Sequence, residues 1–281
     1  MGWLFFVLKK RIGGSTMKKL SSINEVVNIN GHVISYYDIS SCRTVHPKGA
    51  YIVIHGALGN SETTVDFAVF LAERVQEHAV LLVDLPGHGN SKGEPLTTIK
   101  EIARVITDFV RTVQDSHKYE EVYLVGHSMG GSVVLQMLAD GFNAQKAAIL
   151  MSSPEWSSME AMFGIQEEQI SDAFIQMMTY EFDQLRDREQ YIARIPHMAA
   201  DSKASIADIQ ALSTFNILPE VDQIKAPLLI VASEHDETAS IESIEALASK
   251  LTDYGSHIVM GGTHTSVISH AEEVADVVAK F

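Results

Sequence analysis

Tyr123–Val134 reads YLVGHSMGGSVV, and the fold turns on how that stretch is taken. Its first half is a short aliphatic run that stops at Gly126. Its second half continues as SVVLQMLADG, a helical composition with Gly141 to stop it. Between the two, Gly126-His127-Ser128-Met129-Gly130 matches G-x-S-x-G, the pattern of a serine on a sharp turn from strand to helix. Such a turn has no room for bulk two residues to either side, which accounts for Gly126 and Gly130, and Gly131 relieves crowding further. It also lifts the hydroxyl off the sheet toward a helix N-terminus, whose free N–H groups stabilise developing negative charge. A Gly-Ser turn without chemistry would explain the pentapeptide alone. It does not explain a strand before it and a helix after it.

Outward from this point the chain alternates. YIVIHG (51–56), AVLLVDL (79–85), AAILMSS (147–153), PLLIVAS (227–233) and HIVMGG (257–262) are short runs of the kind that strands show when helices cover both sheet faces. Ile99, Ile102, Ile106, Phe109, Val110 and Val113 keep the spacing of one buried helical face, as do Ile241, Ile244, Leu247, Ala248 and Leu251. Near the start, VVNI and HVISYY flank Asn30-Gly31, a two-residue hairpin signal. The expected fold is therefore α/β: a doubly wound, mostly parallel sheet opened by an antiparallel hairpin. From about Glu155 to Phe215 no strand pattern occurs, only helical periodicity such as Phe174, Met177, Met178 and Phe182, so residues 155–215 read as a helical cap inserted between two sheet strands. Residues 17–154 and 216–281 form the core in this division. Residues 1–16 are a non-core extension, because the apolar run Trp3–Leu8 is too short for a membrane span and its basic residues follow it, unlike a secretory signal.

Composition narrows the partners. The formal net charge of −15 opposes binding to nucleic acid or an anionic membrane surface. Cys42 is the single cysteine, so no intramolecular disulfide forms and a cytoplasmic location is expected. No H-E-x-x-H or similar ligand spacing occurs, so neither metal nor cofactor is expected. Oligomeric state is not legible.

VIHGALGNS, VDLPGHGNS, VGHSMGGSV and IVASEHDETAS, closed by GGTHTS, resemble in this order the motifs of the α/β-hydrolase family, and the resemblance runs from about residue 25 to the end. It implies a serine nucleophile at Ser128, then an acid, then a histidine in chain order, with oxyanion donors at the backbone N–H groups of Ala57 and Met129. Asp236 aligns with the family acid, although Ser233 stands where the family pattern has glycine; Glu234 and Glu155 are the alternatives. His264 lies after the last strand, where the family places its base, whereas His257 falls at that strand's start and His270 within the following helix. His55 reads as a structural residue that hydrogen-bonds its loop. Asp84 and His88 read as turn-stabilising, with a place at the pocket entrance left open.

The expected reaction is hydrolysis of a carboxylic ester through an acyl-enzyme. Ser128 disfavours the dehalogenases and epoxide hydrolases of this fold, which use aspartate, and HGALGN departs from the Gly-Gly-x-Gly segment of proline iminopeptidases. Carbon–carbon bond hydrolases, cofactor-free haloperoxidases and a non-enzymatic ligand receptor share the same residues and stay open. Trp156, Phe163, Phe174 and Phe182 beside Met159, Met162, Met177, Met178 and Met198 give the cap an adaptable apolar wall, although most of them serve to pack its helices. The expected substrate is a small to medium neutral, apolar ester.

Overall fold

Asn30 and Gly31 adopt φ of 51° and 94°, the left-handed values that a two-residue hairpin turn needs. They join β1 (Ile23–Ile29) to β2 (His32–Asp38), and Ile29 faces His32 across the first rung of the antiparallel ladder. The computed structural model describes residues 23–39, 46–156, 167–183 and 188–281; the extension 1–16, Cys42, Met159, Met162 and Phe163 lie outside the described residues.

The remaining strands are β3 (Gly49–Ile54), β4 (His78–Val83), β5 (Glu121–His127), β6 (Lys146–Leu150), β7 (Leu228–Ser233) and β8 (Tyr254–Val259). They form an eight-stranded sheet in the order β1-β2-β4-β3-β5-β6-β7-β8. β2 runs antiparallel to both of its neighbours, and every later pairing is parallel. Helices cover both faces, as parallel pairing demands. α1 (Val65–Arg74) and α10 (Ala271–Lys280) pack together on one face, while α2 (Ile99–His117) and α3 (Met129–Ala139) pack on the other. Alternate residues of a strand serve opposite cores: Ile52, Ile54 and Leu124 join α2 and α3, and Tyr51, Val53 and Val125 join α1 and α10. The Thr98 side chain caps α2 by accepting the N–H of Glu101, and Lys118 ends that helix in the left-handed conformation.

Between β6 and β7 the chain leaves the sheet and builds α4 (Glu167–Asp183), α5 (Arg188–Ile192), α6 (Ile195–Met198) and α7 (Ser202–Ser213). Its two ends meet at a neck, where Glu155 and Asn216 form an isolated antiparallel bridge and the Ile217 N–H donates to Pro154 O at 2.9 Å. Phe174, Met178 and Phe182 of α4 face inward, whereas Met177 stays 41% exposed. α8 (Ile241–Ala248) and the short α9 (Ser266–Ser269) complete the core. Among the described residues, no helix is long and apolar enough to cross a membrane.

The run HIVMGG pointed to a strand over 257–262, but β8 starts three residues earlier and ends at Val259. β8 is an edge strand with alternating exposure, and Ile258 and Met260 face solvent. A continuous apolar run marks a strand covered on both faces, so it misplaces one that is not.

Candidate active site

β5 ends in the sheet centre and hands the chain directly to α3 through Ser128, whose φ of 53° and ψ of −123° lie outside the regions a serine ordinarily adopts. Such a residue costs about 1–3 kcal/mol and persists only where its surroundings hold it. Here the Ser128 N–H donates to Leu150 O at 2.9 Å. The turn is tight because glycines allow it: a Cβ at Gly126 would sit 2.2 Å from the Gly130 carbonyl oxygen, and one at Gly130 would sit 2.3 Å from Ile54 O.

β7 and β8 deliver two further groups to the same end of the sheet. His264, in the loop after β8, places Nε2 at 2.9 Å from Ser128 Oγ. Its Nδ1 lies 2.9 Å and 3.1 Å from the two carboxylate oxygens of Asp236 in the turn after β7. Asp236 Oδ1 also accepts the N–H groups of Thr238 and Ala239, both at 2.8 Å. Burial pushes the Asp236 carboxyl up, but the charge and hydrogen bond of His264 together with those two N–H groups outweigh it and hold the group below the usual carboxylate range.

The alternative acids are engaged elsewhere. Glu234 accepts the Gly261 N–H, and Glu155 accepts the Asn216 amide at the neck. Ser233, the departure from glycine, donates to Ser266 Oγ at 2.8 Å, and Ser266 Oγ donates to Thr263 O at 2.8 Å. A side chain at that position thus ties the turn of Asp236 to the loop of His264.

Two more imidazoles surround the centre. His127 donates from Nε2 to the His264 carbonyl at 2.9 Å, which leaves its Nδ1 bare and without a hydrogen-bond partner. His55 donates from Nδ1 to Gly56 O at 2.7 Å and accepts the Leu85 N–H on Nε2 at 3.1 Å. Burial, with neighbouring histidines adding to it, pushes each down to about 3, so both rings stay neutral. Asp84 holds its turn by accepting the N–H groups of Ser61 and Asn90. Among the described residues, the N–H groups of Ala57 and Met129 have no acceptor.

Ser128 and His264 open into a cavity of about 130 Å³ walled by Trp156, Phe174, Met177, Met178, Leu212 and Ile268. Trp156 is held there by donating to Ser132 Oγ at 2.8 Å. Among the described residues, no lysine, arginine, aspartate or glutamate lines the cavity. A larger groove of about 570 Å³ beside Lys100, Arg104 and Asp140 carries mixed charge and includes none of these residues. Among the described residues, no group of three or more His, Cys, Asp or Glu is placed to hold a metal ion.

Sequence reading passed over Leu58, Glu181 and Asp208, which touch the loops of this site. One signal was available for Asp208. It follows Ala204 by four residues and precedes Leu212 by four, so it is an acid set on the buried stripe of α7.

The model of the alpha/beta hydrolase family matches residues 51–277. A pimeloyl-[acyl-carrier protein] methyl ester esterase from Proteus mirabilis is 24% identical over 253 residues, covering 83% of this chain and 92% of that protein. Among solved structures, a lipase-esterase related protein from Clostridium acetobutylicum superposes with a TM-score of 0.74 at 18% identity, covering 88% of this chain and 99% of that one. The enol-lactonase from Burkholderia xenovorans superposes with a TM-score of 0.72 at 19% identity, over 91% and 98%. At these identities the structural likeness speaks for the fold.

Proposed function

The chain belongs to the alpha/beta hydrolase family, and on that premise we propose that it is a serine hydrolase of small, neutral carboxylic esters. The unbroken chain of contacts from Ser128 Oγ through His264 to Asp236, at 2.9 Å on each side of the ring, carries this reading. Ser128 Oγ attacks the ester carbonyl carbon while His264 Nε2 takes its proton, and Asp236 orients the ring and offsets its new charge. The oxyanion takes up the free N–H groups of Ala57 and Met129. His264 protonates the departing alkoxide, leaving an acyl group on Ser128; water, deprotonated by the same ring, then releases the acid. The relative from Proteus mirabilis is named for ester cleavage, which agrees with this chemistry.

The inserted helices act as a cap that sets which esters enter. A cavity of about 130 Å³ is small beside the roughly 300 Å³ at which small-molecule sites usually begin, and it favours short acyl groups. Among the described residues, its lining offers no lysine or arginine to a substrate carboxylate.

Incubation with a fluorophosphonate probe and mass mapping of the adduct tests the proposal. One adduct per chain on the peptide that contains Ser128, absent from S128A, is expected. Folded wild-type protein that takes no label would overturn it.

A further inference from the structure

The loop after β3 carries the Ala57 N–H, and its shape is not set by the sheet alone. Peptide units are planar and trans, so the units on either side of Ala57 determine where its N–H points. His55 holds the first by donating to Gly56 O at 2.7 Å. The second is held from the insertion, where the Leu58 N–H donates to Asp208 Oδ2 at 2.7 Å; the unit after it is held there too, because the Leu58 carbonyl accepts the Ala200 N–H at 2.9 Å. Two residues on, the Asn60 amide donates to His197 O at 2.9 Å. Leu58 needs this grip, because its φ of 62° is left-handed and costs a branched side chain about 1–2 kcal/mol.

Asp208 is fully buried on α7, and its Oδ2 also takes the Nε2–H of His88 at 3.0 Å. His88 Nδ1 faces Pro86 O at 3.0 Å, so both ring nitrogens meet acceptors; burial opposes a second proton on the ring, but the Asp208 contact outweighs it and raises the ring's affinity for one. A buried carboxylate is costly unless paired. His88 and the Leu58 N–H thus share Asp208 Oδ2, so one carboxylate oxygen on α7 ties the oxyanion loop to the turn after β4. On the other side of the site, Glu181 of α4 accepts the hydroxyls of Thr263 and Thr265, the two neighbours of His264.

We infer that Asp208 and Glu181 are positioning residues through which the inserted helices assemble the oxyanion loop and the loop of the base, so that a seated cap is a condition of catalysis. The inference rests on Ser128 as nucleophile and the Ala57 N–H as oxyanion donor, and the test separates the two. Sites are first counted by fluorophosphonate labelling run to completion. Then kcat and KM per labelled site, and affinity for a trifluoromethyl ketone, are measured for wild type, D208L, D208N and E181A.

Loss of positioning should lower per-site kcat in D208L about 10- to 100-fold, with KM within about threefold of wild type. Ketone affinity should fall by the same factor as kcat/KM, because it reports the oxyanion. D208N keeps an acceptor for Leu58 and should lose less than D208L; E181A should lose about fivefold or more. A loss confined to thermal stability or labelled fraction, with per-site kcat unchanged, overturns the inference and leaves Asp208 a structural strut. Should D208L fail to fold, D208N and E181A decide: wild-type per-site kcat in both is fatal to it. Absence of label in the wild type would instead defeat the nucleophile reading.

Discussion

Ser128 holds a strained backbone at the point where its hydroxyl meets His264. In S128A the strain stays, because alanine has the same difficulty at φ 53°, and only the contact with His264 is lost. Folding should be nearly unchanged while turnover falls by about 10³-fold or more, as read by thermal melts and ester hydrolysis side by side. Retained turnover would place the nucleophile elsewhere. His55 and His127 make a second prediction. Their folded values are depressed to about 3, so above the ordinary histidine range both states are neutral and they contribute no pH dependence. Below it the unfolded chain takes up a proton at each that the folded chain refuses, and stability falls as pH falls toward 3. His88 works in the opposite sense. Burial would push it down, but the Asp208 charge outweighs burial and raises it, so its stabilisation is present at low pH and is lost as pH rises through the folded value. Urea melts at pH 7, 6 and 5 should therefore show a shallower acid slope in H127Q by up to one proton. An unaltered slope would mean that His127 does take up a proton in the fold.

At the scale of the element, the junction of β5 and α3 explains why so much was legible. A Cβ at Gly126 would meet Gly130 O at 2.2 Å, while one at Gly141, past the end of α3, would meet nothing within 4 Å. Gly126→Ala should cost about 3 kcal/mol or more and abolish activity through backbone displacement. Gly141→Ala has only its φ of 87° to resist it and should cost about 1–2 kcal/mol with activity kept. Paired denaturation and activity measurements check the contrast; equal costs would show that the elbow yields. Glycines this constrained leave a mark in sequence, and so do strands such as β3 and β5 that are covered on both faces. β8 leaves a weak mark because its outer side chains alternate with solvent. Asp208 and Glu181 left almost none. Their partners lie 150 and 82 residues away, and hydrogen bonds of that span follow from the path of the insertion rather than from any local pattern.

For the whole molecule the question is how a net charge of −15 meets an apolar site. Residues 155–215 hold eleven Asp or Glu against four Lys or Arg, a balance of −7. Part of that charge is offset internally, where Asp208 pairs with His88; Glu181 accepts two threonine hydroxyls and Asp201 caps α7 by accepting the Ala204 N–H, contacts that hold a carboxylate without cancelling its charge. What remains acts on an approaching ester as a field, strongest at low ionic strength and screened over about 10 Å at 0.1 M salt. Inside the cavity no lysine or arginine among the described residues compensates a substrate carboxylate, so desolvating one there is unrepaid. The two effects separate by salt. The field slows encounter and fades as salt rises, whereas the desolvation penalty belongs to the bound state and does not. For a neutral ester and a carboxylate-bearing ester of equal size, kcat/KM should favour the neutral one at low salt, by about tenfold or more. The gap should narrow as salt is added but stay open in high salt. A gap that closes completely would assign the preference to the field alone and leave the cavity indifferent to charge. Equal or faster turnover of the anionic ester at low salt would mean that neither the cap's charge nor the cavity's lining governs entry.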